Sequence, residues 1–456
     1  MAMPASPVDF IHDLRFEDLP ASVVTQAKRC LLDLIGVAAA GTCTALSRIV
    51  NDHAVRHYGA GTGGNGARLF FDGRLVSPLG AALAGASTID SFDAHDGHVL
   101  TKGHMGVAVL PALLALAEDG GTMDGREILA GLVLGYEIAT RAGIALHATA
   151  RDYHTSGAWN AIACAAVGAR HLRLDAKKTR EALGIAEYHG PRSQMMRCID
   201  HPTMVKDGSG WGALAGLSAA YLAADGFTGA PAVTMEDPAL TELWGDLGAR
   251  WCVMEQYFKA YPVCRWAQPA VEAAVSLQRR LKLTARAISW VEVVTFHEAA
   301  RLAAHAPETT EAAQYSLPFP VAAALVKGTI GAPEVGDAGL ADPNTLRLSR
   351  SMILREDASY NARFPAERWA HAVFHLADGT SIRSEPTVAR GNPENPLSDA
   401  ELVEKYRAYA VPLLGVDRSA LIEKAVTELD ADRAHAEDLM TGLFSRSADG
   451  DVAARA

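Results

Sequence analysis

The stretch GAWNAIACAAVGARHL, residues 157–172, decides the fold class of this chain. It is apolar, rich in alanine and glycine, and free of charge until its end, which is typical of a helix buried inside a protein. Similar stretches predict further helices at residues 21–41, 107–118, 128–146 and 212–224. Because small side chains let helices approach closely, we expect a tightly packed helical body over roughly the first 270 residues.

The pattern changes near residue 285. Residues 288–296 (ISWVEVVTF) are β-branched and aromatic, which predicts a strand. Further strands are predicted at 351–354, 370–376 and 380–384, with a hairpin turn at 378–379 and a helix at 318–327. A short strand pair is predicted earlier, at 67–71 and 74–76. Residues 276–394 are therefore predicted to form a small α+β domain, and residues 1–275 and 395–456 to be helical.

The helical region after residue 395 opens with a recognisable start signal. Ser398 is followed three residues later by Glu401, which is the capping-box pattern of a helix N-terminus. This last segment could pack back on the first helical body. The polar tail after Ser445 is expected to fray.

Composition limits the class of protein. The chain has 456 residues, 49% of them hydrophobic, and a formal net charge of −11. This acidic balance argues against a nucleic-acid binder, although cations focused in one cleft could still bind a small anion. The six cysteines have no metal-site spacing, so a reduced, cytoplasmic compartment is expected. Neither a signal peptide nor a membrane span is predicted.

One loop concentrates polar groups between two apolar helices. Residues 90–106 (DSFDAHDGHVLTKGHMG) hold three aspartates, three histidines and a lysine. Loops held by rigid helices are where catalytic groups concentrate. We therefore select Asp90, Asp93, His98 and His104 as candidate site residues, against the alternative of a solvated turn. A metal site formed by histidines 95, 98 and 104 is a further alternative.

Three more positions could carry chemistry. Tyr153 and His154 precede the helix quoted above, where Thr155 or Ser156 could cap it. Lys206 lies at the edge of the predicted helical body, where burial could make it a usable base; a surface lysine is the alternative. Arg265 lies in an elbow before another helix and could clamp a carboxylate, or be structural.

Cofactor motifs give no positive signal. The sequence contains no serine-hydrolase elbow, zincin or Walker A pattern. Residues 61–66 (GTGGNG) match GxGxxG as text, but they follow a helical pattern and precede a strand, the opposite of a dinucleotide site. No metal and no cofactor is therefore predicted.

Taken in order, several phrases of the sequence resemble the MmgE/PrpD family, which includes 2-methylcitrate dehydratase, cis-aconitate decarboxylase and iminodisuccinate epimerase. The resemblance spans roughly residues 7–415. The phrases that carry it are LGYEIATR at 134–141, YHTSGAWNAIACAA at 153–166, MVKDGSGWGALAG at 204–216, KAYPVCRWAQPAVEAA at 259–274 and QYSLPFPVAAAL at 314–325.

The resemblance implies a mainly α fold, in which a large all-helical domain built from both chain ends carries a smaller inserted α+β domain. It also implies a cleft between the two domains, a homodimer, no cofactor and a small polycarboxylate substrate. The family's active-site positions carry over to Asp90 or Asp93, His104, His154 and Lys206 in this chain.

Two departures from the family pattern bear on the reaction. The usual threonine after Asp93 is Ala94, and the usual histidine after YPxC is Gln268. Two proton-handling or hydrogen-bonding side chains of a typical dehydratase are therefore missing. Since an epimerase needs no acid for a leaving group, this favours an isomerase of the iminodisuccinate epimerase type.

In that hypothesis two bases invert the α-carbon of an imino- or amino-dicarboxylate. Lys206 and Tyr153, or His154, would serve the two faces. The carboxylates would be held by His98, His104 and Arg265, with Asp90, Asp93 and Gln268 also at the substrate. The alternatives are a dehydratase of a 2-methylcitrate-like tricarboxylate and a non-catalytic homologue that binds dicarboxylates.

Overall fold

A computed structural model describes residues 6–61, 66–121 and 123–445. The centre of the glycine-rich stretch at 61–66 and the polar tail after Ser445 lie outside these residues. The first half of the chain is a stack of helices, confirming the mainly α fold class. Its helices are α1 Pro7–Asp13, α2 Ala21–Gly41, α3 Ala45–His57, α4 Pro78–Asp90, α5 Gly106–Asp119, α6 Gly125–Thr149, α7 Gly157–His171, α8 Ala176–His189, α9 Met195–Asp200, α10 Ser209–Ala224, α11 Val233–Glu236 and α12 Thr241–Trp244.

Helices α7 and α10 show why this body is built from small residues. A Cβ atom added to Gly216 on α10 would lie 2.3 Å from the backbone oxygen of Ala161 on α7. A Cβ atom on Gly157 would lie 2.4 Å from the backbone oxygen of Gly208. Both distances are shorter than van der Waals contact, so larger residues would separate the two helices. The close approach brings the starts of α7 and α10 together, where the site lies.

Helix α6 runs through the middle of this body. By length and composition it could cross a membrane, but 94% of its apolar window is buried inside the protein. It packs against α5 and α7. Burial of this extent is typical of the core helix of a globular domain.

The second half of the chain adds an α+β unit. Its helices are α13 Gln268–Leu281, α14 His297–Ala300, α15 Thr310–Gln314, α16 Pro318–Lys327, α17 Ala332–Val335, α18 Asp337–Leu340, α19 Pro343–Arg350 and α20 Ala358–Asn361. The strands of the whole chain are β1 Ala67–Arg68, β2 Leu75–Val76, β3 Ile288–Thr295, β4 Ile353–Glu356, β5 Trp369–Leu376, β6 Ser381–Arg383 and β7 Thr387–Val388.

Strands β3–β7 form one sheet in the order β4-β3-β5-β6, with β7 also paired to β5. Only the β3–β4 pair is parallel. The predicted strand at 351–354 is displaced to Ile353–Glu356, because Ser351 still caps the end of α19. Helix α13 crosses the predicted domain boundary at residue 276 and packs against β5.

The early strand pair is shorter than predicted. Only two residues pair on each side, because the chain already turns at Leu69, whose backbone oxygen accepts from the Gly73 amide at 3.0 Å. Phe71 adopts a positive φ of 57° within this turn. The turn at Asp72-Gly73 is where the sequence predicts it.

The last two helices return to the first body. They are α21 Asp399–Thr427 and α22 Arg433–Phe444, and α21 packs against α2. The predicted capping box is present: Ser398 Oγ accepts from the Glu401 amide, and Glu401 Oε2 accepts from the Ser398 amide at 2.8 Å. The C-terminal segment therefore joins the helical body, as predicted.

A buried ion pair fixes α21 to α2. Lys405 Nζ lies 2.6 Å from Asp33 Oδ1, and both side chains are almost completely enclosed. The same amine donates to the backbone oxygen of Ala94 at 2.6 Å. Ala94 belongs to the polar loop between α4 and α5, so the C-terminal helix supports that loop from behind.

Candidate functional site

The polar loop between α4 and α5 is buried rather than solvated. Helix α4 ends at Asp90 and α5 begins at Gly106, and Asp93, His95 and His104 between them are buried. The apolar helices on either side hold the loop in place. The alternative of a solvated turn is therefore wrong.

Two of these loop residues line a small cavity between the helical body and the sheet. Its walls come from the ends of α5, α10 and α13 and from the segments before α16 and β5. The lining residues are Asp93, Lys102, His104, Met195, Ile199, Asp207, Tyr257, Lys259, Cys264, Arg265, Trp266, Tyr315 and Arg368. A buried cavity with several convergent charged groups is the expected form of a small-molecule site.

Asp93 and Lys259 form the central ion pair of the cavity. Lys259 Nζ lies 2.5 Å from Asp93 Oδ1 and 3.2 Å from the Asp93 backbone oxygen. Burial alone would raise the pKa of Asp93, but the charges of Lys259, Lys206 and His104 outweigh it and lower that pKa. Asp93 is therefore a permanent carboxylate, and Lys259 a fixed ammonium.

His104 is held in one tautomer. Its Nδ1 donates to the backbone oxygen of Asp96, because a carbonyl oxygen can only accept. Its Nε2 is left free, 4.0 Å from both Asp93 Oδ1 and Asp207 Oδ2. Burial, and then the charge of Lys259, lower the pKa of His104 to about 4. At neutral pH this side chain is an uncharged base with its lone pair toward the two carboxylates.

Lys206 is buried and lies just before α10. Its Nζ donates to Gln314 Oε1 at 2.8 Å and lies 4.7 Å from the centre of the Tyr315 ring, which lines the cavity. Its backbone has a positive φ of 45°, which is uncommon for a residue with a Cβ atom. The alternative of a surface lysine is wrong.

Ser156 connects these groups and does not cap α7. Its Oγ accepts from the His104 amide at 3.0 Å and donates to Asp207 Oδ2 at 2.8 Å. No side-chain capping bond is present at the start of α7, so the expectation of a Thr155 or Ser156 cap is wrong. The hydroxyl instead ties the His104 loop to Asp207.

The other candidate aspartate lies behind the cavity. Asp90 Oδ2 accepts from the Ser209 amide at 3.3 Å, and Asp90 is not among the lining residues. Burial, and then the charge of Asp207, raise the pKa of Asp90 to about 7. Of the two aspartates proposed from the sequence, the structure brings Asp93 to the site.

Tyr153 and His154 lie away from the lining. The Lys102 ammonium lies 4.1 Å from the centre of the Tyr153 ring, and Lys102 itself lines the cavity. The ring of His154 stacks on that of His147 at 6.4 Å. Tyr153 therefore reaches the cavity only through Lys102, and the structure does not bring His154 to it.

The side chains of His98 and Gln268 bind other groups of the protein and do not reach the cavity. His98 Nε2 lies 3.1 Å from Glu255 Oε2. The Gln268 amide donates to the backbone oxygens of Tyr261 and Val263, both at 3.0 Å. Its Oε1 accepts from Arg265 at 3.0 Å. Arg265 does line the cavity, so Gln268 positions this arginine and does not itself reach a ligand.

Sequence reasoning missed several lining residues, namely Asp207, Tyr257, Lys259, Tyr315 and Arg368. Lys259 lies in the same elbow as Arg265, and Asp207 directly follows Lys206. The one sequence signal for Lys259 and Asp207 was that each lies close along the chain to a candidate site residue. Tyr315 and Arg368 come from the α+β unit. Tyr315 lies in the phrase at 314–325 that resembles the family, while nothing in the local sequence marks Arg368.

The one triad of potential metal ligands found among the described residues is Asp93, His95 and His104, with ligand atoms within 4.8 Å of one another. His98 does not belong to it, so the histidine trio considered above is not formed. Lys259 already neutralises Asp93 at 2.5 Å and would repel a cation. These residues fit a proton-transfer network better than a metal centre.

The backbone oxygen of Asp96 accepts from His104. The side chain of the same residue should make the free energy of unfolding depend on pH. Burial, and then the charge of Asp33, raise the pKa of Asp96 from 3.8 to about 7. The folded state therefore keeps a proton that the unfolded state releases near pH 4, and stability is lost as pH rises through about 7.

We expect Asp96→Asn to be more stable than wild type at pH 8 by roughly 2–4 kcal/mol, and nearly equal to it at pH 4. Urea unfolding at both pH values measures this, with the exposed Glu404→Gln as the control. An equal difference at both pH values would contradict the assignment.

A buried cavity that combines a neutral histidine, a buried lysine and fixed cations is typical of an enzyme site for a small anion. The chain belongs to the MmgE/PrpD family: the profile of the MmgE/PrpD N-terminal domain matches residues 8–242, and that of the C-terminal domain matches residues 261–431. The family resemblance of the sequence is thereby confirmed.

Similar proteins of known activity are enzymes. The chain is 24% identical to a cis-aconitate decarboxylase-like protein of Aspergillus oryzae, over 92% of this chain and 93% of the relative. It is 24% identical to cis-aconitate decarboxylase of Aspergillus terreus, over 92% and 91%. It is 25% identical to cis-aconitate decarboxylase of Homo sapiens, over 92% and 90%.

Proposed function

We propose that this chain is a cofactor-independent enzyme that moves a proton at the carbon α to a carboxylate of a small polycarboxylate. The observation that carries the proposal is the pair formed by His104 and Lys206. His104 lines the cavity and offers a neutral Nε2. Lys206 is not itself among the lining residues, but its buried amine lies 4.7 Å from the ring of Tyr315, which lines the cavity. A neutral base and a charged acid are what proton removal and return require.

The polycarboxylate class is supported by the relatives and by the cations. Three of the similar proteins are named for cis-aconitate, a polycarboxylate. The cavity walls carry Lys102, Lys259, Arg265 and Arg368. Fixed cations stabilise the negative charge that develops on a carboxylate when its α-proton leaves.

The net reaction we propose is epimerisation of an imino- or amino-dicarboxylate of the iminodisuccinate type. His104 Nε2 accepts the α-proton from one face, and the Lys206 ammonium returns a proton to the other. His104 takes the place of Tyr153 in this scheme, since His104 itself lines the cavity. Lys206 is retained because its buried amine lies against Tyr315, a lining residue. The reverse reaction uses the same two groups with exchanged protonation states.

Two positions favour epimerisation over loss of a group. Ala94 has only a methyl group, and the Gln268 amide is fully used by Tyr261, Val263 and Arg265. Neither can protonate a leaving hydroxyl. The second candidate function is a lyase, decarboxylating or dehydrating a tricarboxylate, and the names of the relatives favour it.

Chiral chromatography of the products distinguishes these functions. Single epimers of iminodisuccinate, with 2-methylcitrate and cis-aconitate in parallel, are incubated with the enzyme. We expect iminodisuccinate to become a mixture of epimers, with no olefin formed from iminodisuccinate or 2-methylcitrate and no CO₂ released from cis-aconitate. Release of an olefin or CO₂ would establish the lyase instead, and binding without any product would indicate a non-catalytic homologue.

A further inference from the structure

A second cavity adjoins the first and shares two arginines with it. It is a small space lined by Val99, Arg265, Ala366, Arg368, Ala389 and Asn392. Arg265 comes from the elbow before α13, and Arg368 directly precedes β5. The two guanidinium groups therefore form the boundary between the cavity that holds His104 and this second space.

Both arginines are buried without a carboxylate partner. Arg265 is 4% exposed and Arg368 is 7% exposed. Neither has an acidic group within ion-pairing distance among residues 6–61, 66–121 and 123–445. Burial of a charge without a counter-charge is unfavourable unless a ligand supplies one.

The hydrogen bonds of these arginines leave donors for a ligand. Arg265 donates to the backbone oxygen of Arg390 at 2.7 Å and to Asn392 Oδ1 at 2.5 Å. Arg368 donates to the backbone oxygen of Val99 at 2.8 Å. The Nε of Arg368 is buried and has no partner. Arg265 also donates to Gln268 Oε1 at 3.0 Å and to the backbone oxygen of Phe258 at 3.4 Å. All five acceptors are neutral, so these hydrogen bonds orient the positive charges of the pair without neutralising them.

The electrostatics of the pair agree with this geometry. Burial, together with the charge of Arg368, lowers the pKa of Arg265 to about 10, although Tyr257 and the more distant Glu272 and Glu394 act in the opposite direction. Burial also lowers the pKa of Arg368. Two guanidinium groups that repel each other in a buried space are stabilised by an anion between them, and their planar forks match a carboxylate.

We propose that the second cavity is a carboxylate subsite, in which Arg265 and Arg368 bind a third carboxylate of the substrate, remote from the carbon at His104. The inference deepens the proposed function. It rests on that function for one point only, namely that the acid bound in the second cavity is the substrate. Within the substrates proposed above, the subsite selects acids with at least three carboxylates, such as iminodisuccinate with its four, over simple dicarboxylates.

Calorimetric binding of unreactive acids tests this subsite without turnover. Tricarballylate has three carboxylates and succinate has two. We expect wild type to bind tricarballylate about tenfold or more tightly than succinate, since a charge-assisted contact corresponds to roughly that factor. Arg368→Gln should lose this preference. The matched control is Arg355→Gln, an exposed arginine on β4, which should keep it.

Asn392→Asp separates the proposal from simple misfolding. It places a carboxylate against Arg265 with almost no change in shape, so it supplies the missing counter-charge from the protein itself. We expect this variant to melt at a higher temperature than wild type and to bind the two acids equally. A lower melting temperature together with a retained preference for tricarballylate would overturn the proposal.

The outcomes also separate this inference from the proposed function. A tricarballylate preference that Arg368→Gln abolishes, in an enzyme that converts none of the acids above, would contradict the proposed reaction and support the subsite. Epimerisation by an enzyme that binds both acids equally well would contradict the subsite alone.

Discussion

Replacing Lys206 by alanine will lower kcat/KM by about 10²- to 10⁴-fold, the usual effect of removing a positioned proton carrier. Its amine is held in one position by Gln314 Oε1 at 2.8 Å and by the Tyr315 ring. The measurement is steady-state kinetics on the substrate identified above. Added methylamine should restore part of the lost rate, because a small amine fits the space that the side chain leaves.

Lys282→Ala is the matched control for this variant. Lys282 also has a positive φ, 52°, but is exposed at the end of α13. The backbone strain introduced by alanine is therefore similar in the two variants, while only one loses a group at the cavity. A Lys206→Ala enzyme that keeps more than a tenth of its activity would remove Lys206 from the mechanism.

The second large effect concerns stability, at the ion pair between α21 and α2. Lys405→Met leaves Asp33 as a buried, uncompensated carboxylate, so we expect a loss of about 3–5 kcal/mol in the free energy of unfolding. The double variant Asp33→Asn, Lys405→Met removes both charges and should recover most of that loss. Urea unfolding of wild type, the single variants Lys405→Met and Asp33→Asn, and the double variant gives the coupling energy directly.

The activity of the double variant carries a separate expectation. Lys405 also donates to the backbone oxygen of Ala94 at 2.6 Å, and this contact supports the loop that holds Asp93. The double variant should therefore regain stability but keep a lowered kcat. Lys424→Met, on the exposed face of the same helix, should change stability by less than about 0.5 kcal/mol. Additive effects of the two substitutions would show that the pair is not coupled.

The helices were predictable because their signals are local. Residues 21–41 and 318–327 have the bounds of α2 and α16, and the capping box at Ser398 starts α21 as the sequence predicts. The predicted bounds are wrong where the start of one element depends on the end of its neighbour. Strand β4 starts two residues late because α19 extends to Arg350.

The candidate site was predictable only in part. Asp93 and His104 belong to one loop whose composition is unusual, so sequence alone could select them. Lys259 and Asp93 are 166 positions apart, and Arg368 is 269 positions from Val99, whose backbone it contacts. Such contacts depend on how the sheet unit packs on the helical body, and no local pattern encodes that. The engagement of Gln268 by the backbone oxygens of Tyr261 and Val263 is local, but it depends on the conformation of the elbow before α13, which the sequence pattern does not specify.

Proton NMR of the enzyme with iminodisuccinate in D₂O tests the central claim most directly. If His104 and Lys206 exchange the α-proton, its signal will disappear as deuterium enters from solvent, the other epimer will appear, and no olefinic signal will form. Lys206→Ala should slow this exchange by the factor given above. An α-proton signal that persists while the wild-type enzyme forms product would contradict proton transfer at this carbon.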